Sequence, residues 1–181
     1  VEAAVKIART GTTISEIGRT IQEKIQNYGF APVKNLSGHG IGRFQIHGKP
    51  SIPNFDSGNQ QELAEGQTIA IEPFASTGAG MIFESTNPTV FMFQQRKPVR
   101  SNFARDVLKE INVYEGLPFT TRWISRKLGL GKTRFGLREL IKAGVIRAYP
   151  PLPDARKGLV SQAEHSVIVG EKPIIITKLD D

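Results

Sequence analysis

The stretch that decides the fold is NLSGHGIGRFQIHGKPSIP, residues 35–53. It holds two of the three histidines in the chain, His39 and His47, among closely spaced glycines. Glycine beside histidine permits a tight backbone, and short apolar runs punctuated by Gly and Pro indicate strands. A single histidine in such a setting is more often a turn or core residue than a ligand. The stretch therefore has to be interpreted together with its surroundings.

The flanking sequence changes from helical to strand-like periodicity at this stretch. Before it, residues 1–9 predict a helix, and Thr13 with Glu16 has the spacing of a capping box at the start of a second helix ending at Gly29. After it, Gly and Pro separate short apolar runs. Strands are predicted at 33–36, 41–46, 68–74, 89–94, 159–169 and 173–178.

A basic region lies between these strands. From Phe103 to Val160 there are 12 Lys or Arg against 5 Asp or Glu, which equals the net charge of +7 of the whole chain. The region predicts three short helices and then a strand, the order of a winged-helix unit. We therefore predict an α+β fold with one domain formed by 1–101 and 159–181, and a helical insertion at 102–158. A basic surface indicates nucleic acid, the ribosome or another acidic partner, and is as often only solvated.

The composition excludes several classes of site. No Cys is present, so disulfides, thiolate metal sites and a Cys nucleophile are excluded. No apolar run reaches the roughly 18 residues that cross a bilayer, and no secretory leader is visible. We therefore expect a cytoplasmic protein without membrane contact. The chain opens with Val1 inside a predicted helix, which indicates a fragment or a processed chain.

Two carboxylates stand in apolar strand sequences. Glu72 lies in TIAIEPF and Glu164 in SQAEHSVIV. Burying an unpaired carboxylate costs several kcal/mol, so each needs a cation, a basic partner or a proton if it faces the interior. With histidine nearby, a divalent metal fits this chemistry. Alternation along the strands permits the opposite outcome, in which both carboxylates face water.

Three stretches in the same order resemble type II methionine aminopeptidases. Residues 35–53 resemble the histidine segment of that family. IEPFASTGAG at 71–80 resembles the strand and turn that carry its first glutamate ligand. YPPLPD at 149–154, followed by QAEH at 162–165, resembles the stretch that leads to its last glutamate ligand. The basic region lies where type II enzymes carry a helical insertion. The resemblance implies the C-terminal half of a pita-bread (creatinase/aminopeptidase-like) fold with a winged-helix-like subdomain.

The resemblance also implies roles for individual residues. His39, Glu72 and Glu164 match metal ligands, with Glu164 bridging two ions and Glu72 also acting as the catalytic base. His47 matches the catalytic histidine that contacts the scissile amide of the substrate and stabilises developing charge.

A second group of positions matches the pocket for the methionine side chain. These substrate-binding positions are Ile46, Phe74 and Tyr149. Together with His47 they would contact a peptide or nascent chain that begins with Met.

The implied activity is metal-dependent removal of N-terminal methionine with two divalent ions, drawn from Co, Mn, Fe or Zn. Two aspartate ligands and a further histidine of the family lie upstream, in an N-terminal half that this chain lacks. We therefore expect the 181-residue chain alone to bind metal weakly and to be inactive. The alternatives are a non-enzymatic binding protein of the same fold, and nucleic-acid or ribosome binding by Lys132, Arg134 and Arg138 of the insertion.

Overall fold

The computed structural model describes residues 1–178, and the chain forms two compact units. The larger unit comprises Val1–Phe83 and Leu152–Asp181, and the smaller unit comprises Glu84–Pro151. The helices are α1 Glu2–Ile7, α2 Ile14–Asn27, α3 Asn102–Ile111, α4 Thr121–Leu128 and α5 Leu130–Lys142, with a short 3-10 turn at Asn112–Tyr114. The strands are β1 Ala31–Pro32, β2 Ser37–Gly42, β3 Gln45–Pro53, β4 Thr68–Ile71, β5 Phe74–Ser76, β6 Val90–Phe93, β7 Phe119–Thr120, β8 Ile146–Tyr149, β9 Val160–Gln162, β10 His165–Ile168 and β11 Ile174–Ile175.

Helix α2 follows from its sequence. The Thr13 hydroxyl accepts from the N–H of Glu16 while the Glu16 carboxylate accepts from the N–H of Thr13, so the predicted capping box is confirmed. The apolar stripe of α2 is buried in a core that also receives side chains from α1, β3, β4 and β10. This core holds α2 against the sheet that carries the candidate site.

Two antiparallel sheets form the larger unit within residues 1–178. One has five strands in the order β11-β10-β4-β2-β3, and the other has three in the order β1-β5-β9. Strands β4 and β5 are separated by Glu72 and Pro73, and strands β9 and β10 by Ala163 and Glu164. The predicted strands 68–74 and 159–169 are therefore each broken once, at the residues that the sequence singled out.

The two breaks face each other because the register continues across them. His165 pairs with Ile71 in the five-stranded sheet, and Gln162 pairs with Phe74 in the three-stranded sheet. Both pairs belong to the same antiparallel alignment, so β4–β5 and β9–β10 form one long ribbon that passes from one sheet to the other. Pro73 has no N–H to donate to a ladder, which agrees with the interruption at this point.

Two predicted strands are wrong. Residues 33–36 do not form a strand, and the run 41–46 contains the turn between β2 and β3. Phe44 at this turn has a φ of 56°, in the left-handed region, and Arg43 precedes it. Apolar runs interrupted by glycine do not show by themselves where a hairpin turns.

The smaller unit has its own core. Helices α3, α4 and α5 pack against a sheet with the order β7-β6-β8, and the core runs from Phe91 to Ile146. Its limits differ from those of the predicted insertion, 102–158. The N-terminal limit lies earlier, because β6 pairs with β7 and β8 within the smaller unit. The C-terminal limit also lies earlier, because Asp154 forms a bridge with Ile82 of the larger unit. Helices and antiparallel sheets in both units confirm an α+β fold. No helix in residues 1–178 is long and apolar enough to cross a membrane.

Candidate functional site

The site is built around the two carboxylates at the break in the ribbon. Glu72 directly follows β4, and Glu164 directly precedes β10. The common register places these residues opposite each other, although they are far apart in the sequence. Pro73 accepts a backbone hydrogen bond from Ala163 at 3.3 Å, which joins the two segments at the break.

The carboxylates of Glu72 and Glu164 repel each other, and both lie near the side-chain amide of Gln162. Burial of Glu72 and the nearby charge of Glu164 raise the pKa of Glu72 to about 7. The side-chain amide of Gln162 donates to Glu72 Oε1 at 3.1 Å and lies 3.4 Å from Glu164 Oε2. Gln162 was missed in the sequence, where only its place in QAEH could have drawn notice. A pair of carboxylates that resist joint ionisation is a setting that a cation would stabilise.

The two predicted histidines lie together. The rings of His39 and His47 meet edge to face with centroids 4.6 Å apart. His39 lies on β2 opposite Ala70 of β4, two residues before Glu72. Its Nδ1 is 3.2 Å from the carbonyl oxygen of Gly40, a contact that favours hydrogen on Nδ1 and leaves Nε2 able to bind a metal.

The backbone on both sides of His39 requires glycine. A Cβ on Gly38 would lie 2.2 Å from the carbonyl oxygen of Ala70, and a Cβ on Gly40 would lie 2.0 Å from that of Lys49. Neither distance leaves room for a methyl group. The glycines around the histidine therefore let β2 approach its two neighbours closely, which positions His39 beside β4.

The donor set fits a divalent metal in its chemistry. Carboxylate oxygens and neutral imidazole nitrogens are the ligands that Mn, Fe, Co and Zn share. Among residues 1–178, however, no group of three or more His, Asp or Glu side chains could hold a metal ion. The site brings Glu72 close to Glu164 and His39 close to His47, and it does not join these pairs into a three-ligand centre.

The predicted pocket residues lie in both units. Ile46 on β3 and Phe74 on β5 belong to the larger unit, and both are partly buried. Tyr149 is the last residue of β8 in the smaller unit, where its hydroxyl lies 3.7 Å from Met92 Sδ. The guanidinium of Arg147 lies over the ring of Tyr149, 5.3 Å from its centroid.

Asp154 supports the turn after β5. Its carboxylate is fully buried and accepts from the Ser76 hydroxyl at 2.8 Å and from the N–H groups of Ala79 and Gly80 at 2.9 Å. It also accepts from the N–H of Arg156 at 2.7 Å. These hydrogen bonds, the one from the Ala79 N–H foremost, hold the pKa of Asp154 well below its usual range. The sequence placed this residue only in a family-like stretch and gave it no role.

Comparison with known families shows the class of protein to which this architecture belongs. The model of metallopeptidase family M24 matches residues 1–101, more than half of the chain. The chain belongs to metallopeptidase family M24.

The curated relatives include archaeal methionine aminopeptidases. Those of Thermococcus onnurineus, Pyrococcus abyssi and Archaeoglobus fulgidus are 45%, 42% and 40% identical, each over 97% of this chain. The chain spans about 60% of the length of these relatives. The predicted resemblance to methionine aminopeptidases is confirmed.

Solved structures share the fold at low identity. A thermophilic Arx1 superposes with a TM-score of 0.73 at 16% identity, covering 88% of this chain and 44% of the other. The methionine aminopeptidase of Thermotoga maritima superposes with a TM-score of 0.59 at 20% identity, covering 98% of this chain and 47% of the other. The mixed α/β pita-bread architecture is therefore confirmed.

Proposed function

We propose that the full-length protein to which this chain belongs removes N-terminal methionine from peptides and nascent proteins. The observation that carries the proposal is the opposition of Glu72 and Glu164 at the break in the ribbon, where burial and the charge of Glu164 raise the pKa of Glu72 to about 7 and a cation would stabilise both carboxylates. Relatives named methionine aminopeptidase supply the substrate class. A non-enzymatic binding role is not favoured by these relatives.

His39, Glu72 and Glu164 would hold two divalent ions together with ligands from the rest of the full-length protein. Bound there, such ions supply Lewis-acid polarisation of the scissile carbonyl and a more acidic water. Nε2 of His39 is the ring atom available as a ligand, since Nδ1 lies at the carbonyl oxygen of Gly40. Two facing carboxylates also match the demand of a dinuclear site for anionic ligands.

Glu72 is the residue we assign as general base. Burial and the nearby charge of Glu164 raise its pKa to about 7, so its carboxylate can take up a proton near pH 7. A bound cation would lower this pKa and keep Glu72 ionised before the proton is transferred. The Gln162 amide, which donates to Glu72 Oε1, orients the carboxylate that receives the proton.

His47 would donate to the oxygen that becomes negative as the scissile carbonyl is attacked. Its ring packs against that of His39, so a donor lies beside a proposed ligand. Ile46 and Phe74 of the larger unit would line the pocket for the methionine side chain, since apolar and aromatic groups suit a flexible thioether. The resemblance alone assigns Tyr149 of the smaller unit the same role.

The smaller unit would act as a winged-helix-like module of the same protein. Its order of α3, β7, α4, α5 and β8 agrees with that interpretation. The proposal includes a cytoplasmic location and contact with ribosomes. It also includes that the remaining metal ligands come from the part of the full-length protein that corresponds to the segment of the relatives that this chain does not span.

The test uses the full-length protein and a peptide that begins with Met followed by a small residue. Release of free methionine is measured with Mn, Fe, Co or Zn added in turn. Glu164→Gln keeps the shape of the side chain and removes its charge, and we expect a loss of methionine release of about 100-fold or more. Glu171→Gln, an exposed carboxylate outside the site, is the matched control. Full turnover in Glu164→Gln would refute the ligand assignment.

A further inference from the structure

The smaller unit accounts for the whole net positive charge of the chain. Residues Glu84–Pro151 include 13 Lys or Arg and 5 Asp or Glu, a net charge of +8, and the remainder of the chain is slightly acidic. A charge imbalance confined to one compact unit concentrates positive potential on its surface. The proposed aminopeptidase chemistry makes no use of it.

A groove of about 840 Å³ lies along α5 in this unit. Arg134, Arg138 and Lys142 line it, and all three side chains are exposed. Their spacing of four residues puts them on one face of the helix, with a rise of about 6 Å between neighbours. The groove therefore presents a straight, regularly spaced row of cations.

The cations of this row are not neutralised by acidic side chains. No Asp or Glu lines the groove, and within residues 1–178 none of its three cations takes part in an ion pair. Other cations of the unit are engaged: Lys132 pairs with Asp106 at 2.5 Å. Lys132, which the sequence grouped with Arg134 and Arg138, is thus held by its own unit, and Lys142 takes its place in the row.

The groove is lined in part by residues that are hydrogen-bonded or buried in the core of the unit. The N–H of Thr121 donates to the carbonyl oxygen of Thr89 at 2.9 Å, which joins the start of α4 to the segment before β6. Phe91 and Leu137 form an apolar floor and are each only 3% exposed. Because the floor belongs to the core of the unit, the groove exists without a ligand and needs no rearrangement to receive one.

We propose that this groove binds RNA through the phosphates of one strand. Arg and Lys guanidinium and ammonium groups, with Thr and Asn side chains, are the usual partners of phosphate oxygens, and Asn87, Thr89 and Thr121 also line the groove. A nucleic-acid strand matches a regular row of cations, whereas the charges of an acidic peptide follow its sequence. The choice of RNA over DNA rests on the proposed function, because N-termini emerge from ribosomes.

The test measures binding of a fluorescein-labelled RNA hairpin to the full chain by fluorescence anisotropy at several KCl concentrations. The groove variant combines Arg134→Gln, Arg138→Gln and Lys142→Gln. The control variant combines Lys109→Gln, Arg122→Gln and Arg126→Gln, which are exposed on α3 and α4 outside the groove. Both variants lose two Arg and one Lys, so their net charges are equal, and circular dichroism verifies that both are folded.

We expect the groove variant to bind the RNA hairpin at least about tenfold more weakly. The negative slope of log K against log salt should become less steep by about 3, one for each phosphate that the variant no longer binds. The control should change both quantities much less. Equal losses in the two variants, or no binding of the hairpin at low salt, would overturn the proposal. Equal affinity for a DNA hairpin of the same sequence would overturn the assignment to RNA, and stronger competition by polyglutamate would reassign the groove to an acidic protein.

Methionine release by the full-length protein is measured in parallel for both variants. Neither variant touches the residues proposed for metal or substrate. Loss of RNA binding with intact methionine release would therefore support the groove independently. Absence of methionine release from the unmodified protein would count against the proposed function, while the salt dependence and the comparison of RNA with DNA hairpins would still test the groove.

Discussion

At the scale of single residues, the candidate site depends on how each carboxylate is paired. Glu72 has a neighbouring carboxylate and one amide, and its pKa is raised to about 7. Asp154 has four donors, and its pKa is lowered. The two residues therefore make the stability of the fold depend on pH in opposite directions.

The first prediction concerns Glu72 and neutral pH. A carboxyl group with a raised pKa stabilises the fold most when it is protonated, so this contribution is lost as the pH rises from about 4.5 to about 7. We expect Glu72→Gln to remove that loss and to stabilise the metal-free chain at pH 7.5 by about 1 kcal/mol after allowance for solvent screening. Urea unfolding at pH 4.5 and 7.5 measures it. An unchanged pH dependence in the variant would contradict the raised pKa.

The second prediction concerns Asp154 and acid. A carboxylate with a lowered pKa stabilises the fold above its ordinary pKa near 3.9, and this contribution disappears as the pH falls through the lowered value. Asp154→Asn puts an amide against N–H donors, so we expect its melting temperature to fall by on the order of 5 °C at pH 7, with a smaller difference at pH 2. Calorimetric scans at both pH values check this. Glu171→Gln, at an exposed position of the same unit, serves for comparison.

At the scale of elements, strand β2 shows why the histidine segment is rich in glycine. The backbone of β2 approaches β4 and β3 so closely that Cβ atoms on Gly38 and Gly40 would overlap carbonyl oxygens. Gly42 differs, since a Cβ there would meet only the flexible side chain of Gln45, at 3.2 Å. Glycine thus has a steric role at two of the three positions.

The third prediction tests this difference within one strand. Gly40→Ala should destabilise the larger unit by about 1–3 kcal/mol, because the backbone must move to admit the methyl group. Gly42→Ala should change the free energy of unfolding by less than about 0.5 kcal/mol. Chemical denaturation of both variants gives the two values. If they were equal, the close approach of β2 to β3 would not be the reason for Gly40.

At the scale of the whole molecule, the chain has two cores and a partial metal site. Each core lies within one compact unit, and the candidate ligands His39, Glu72 and Glu164 all belong to the larger one. Within residues 1–178 they do not complete a three-ligand centre. The length of the relatives, of which this chain spans about 60%, leaves room for the missing ligands.

The fourth prediction concerns the 181-residue chain by itself. With three of five implied ligands, it should bind Mn, Co or Zn weakly and without fixed stoichiometry, and it should release no methionine from a Met-peptide. Isothermal titration calorimetry and a methionine-release assay measure both properties. The full-length protein is the positive control. Tight binding of two ions by the chain alone would show that the site is complete without further ligands.

The sequence by itself determined the family and the local elements. The stretches 35–53, 71–80 and 162–165 predicted the peptidase resemblance, and Thr13 with Glu16 predicted the start of α2, because motifs and caps depend on residues that are close in the chain. Whether Glu72 and Glu164 faced each other or water remained open at that level.

Only the tertiary structure decided that these carboxylates meet. Strand register sets the outcome, and a shift of one residue would turn one side chain to the other face of the sheet. The buried anchor Asp154, the bridging amide of Gln162 and the pairing of Lys132 with Asp106 were likewise invisible in the sequence. Each depends on contacts between segments far apart in the chain, which local periodicity does not encode.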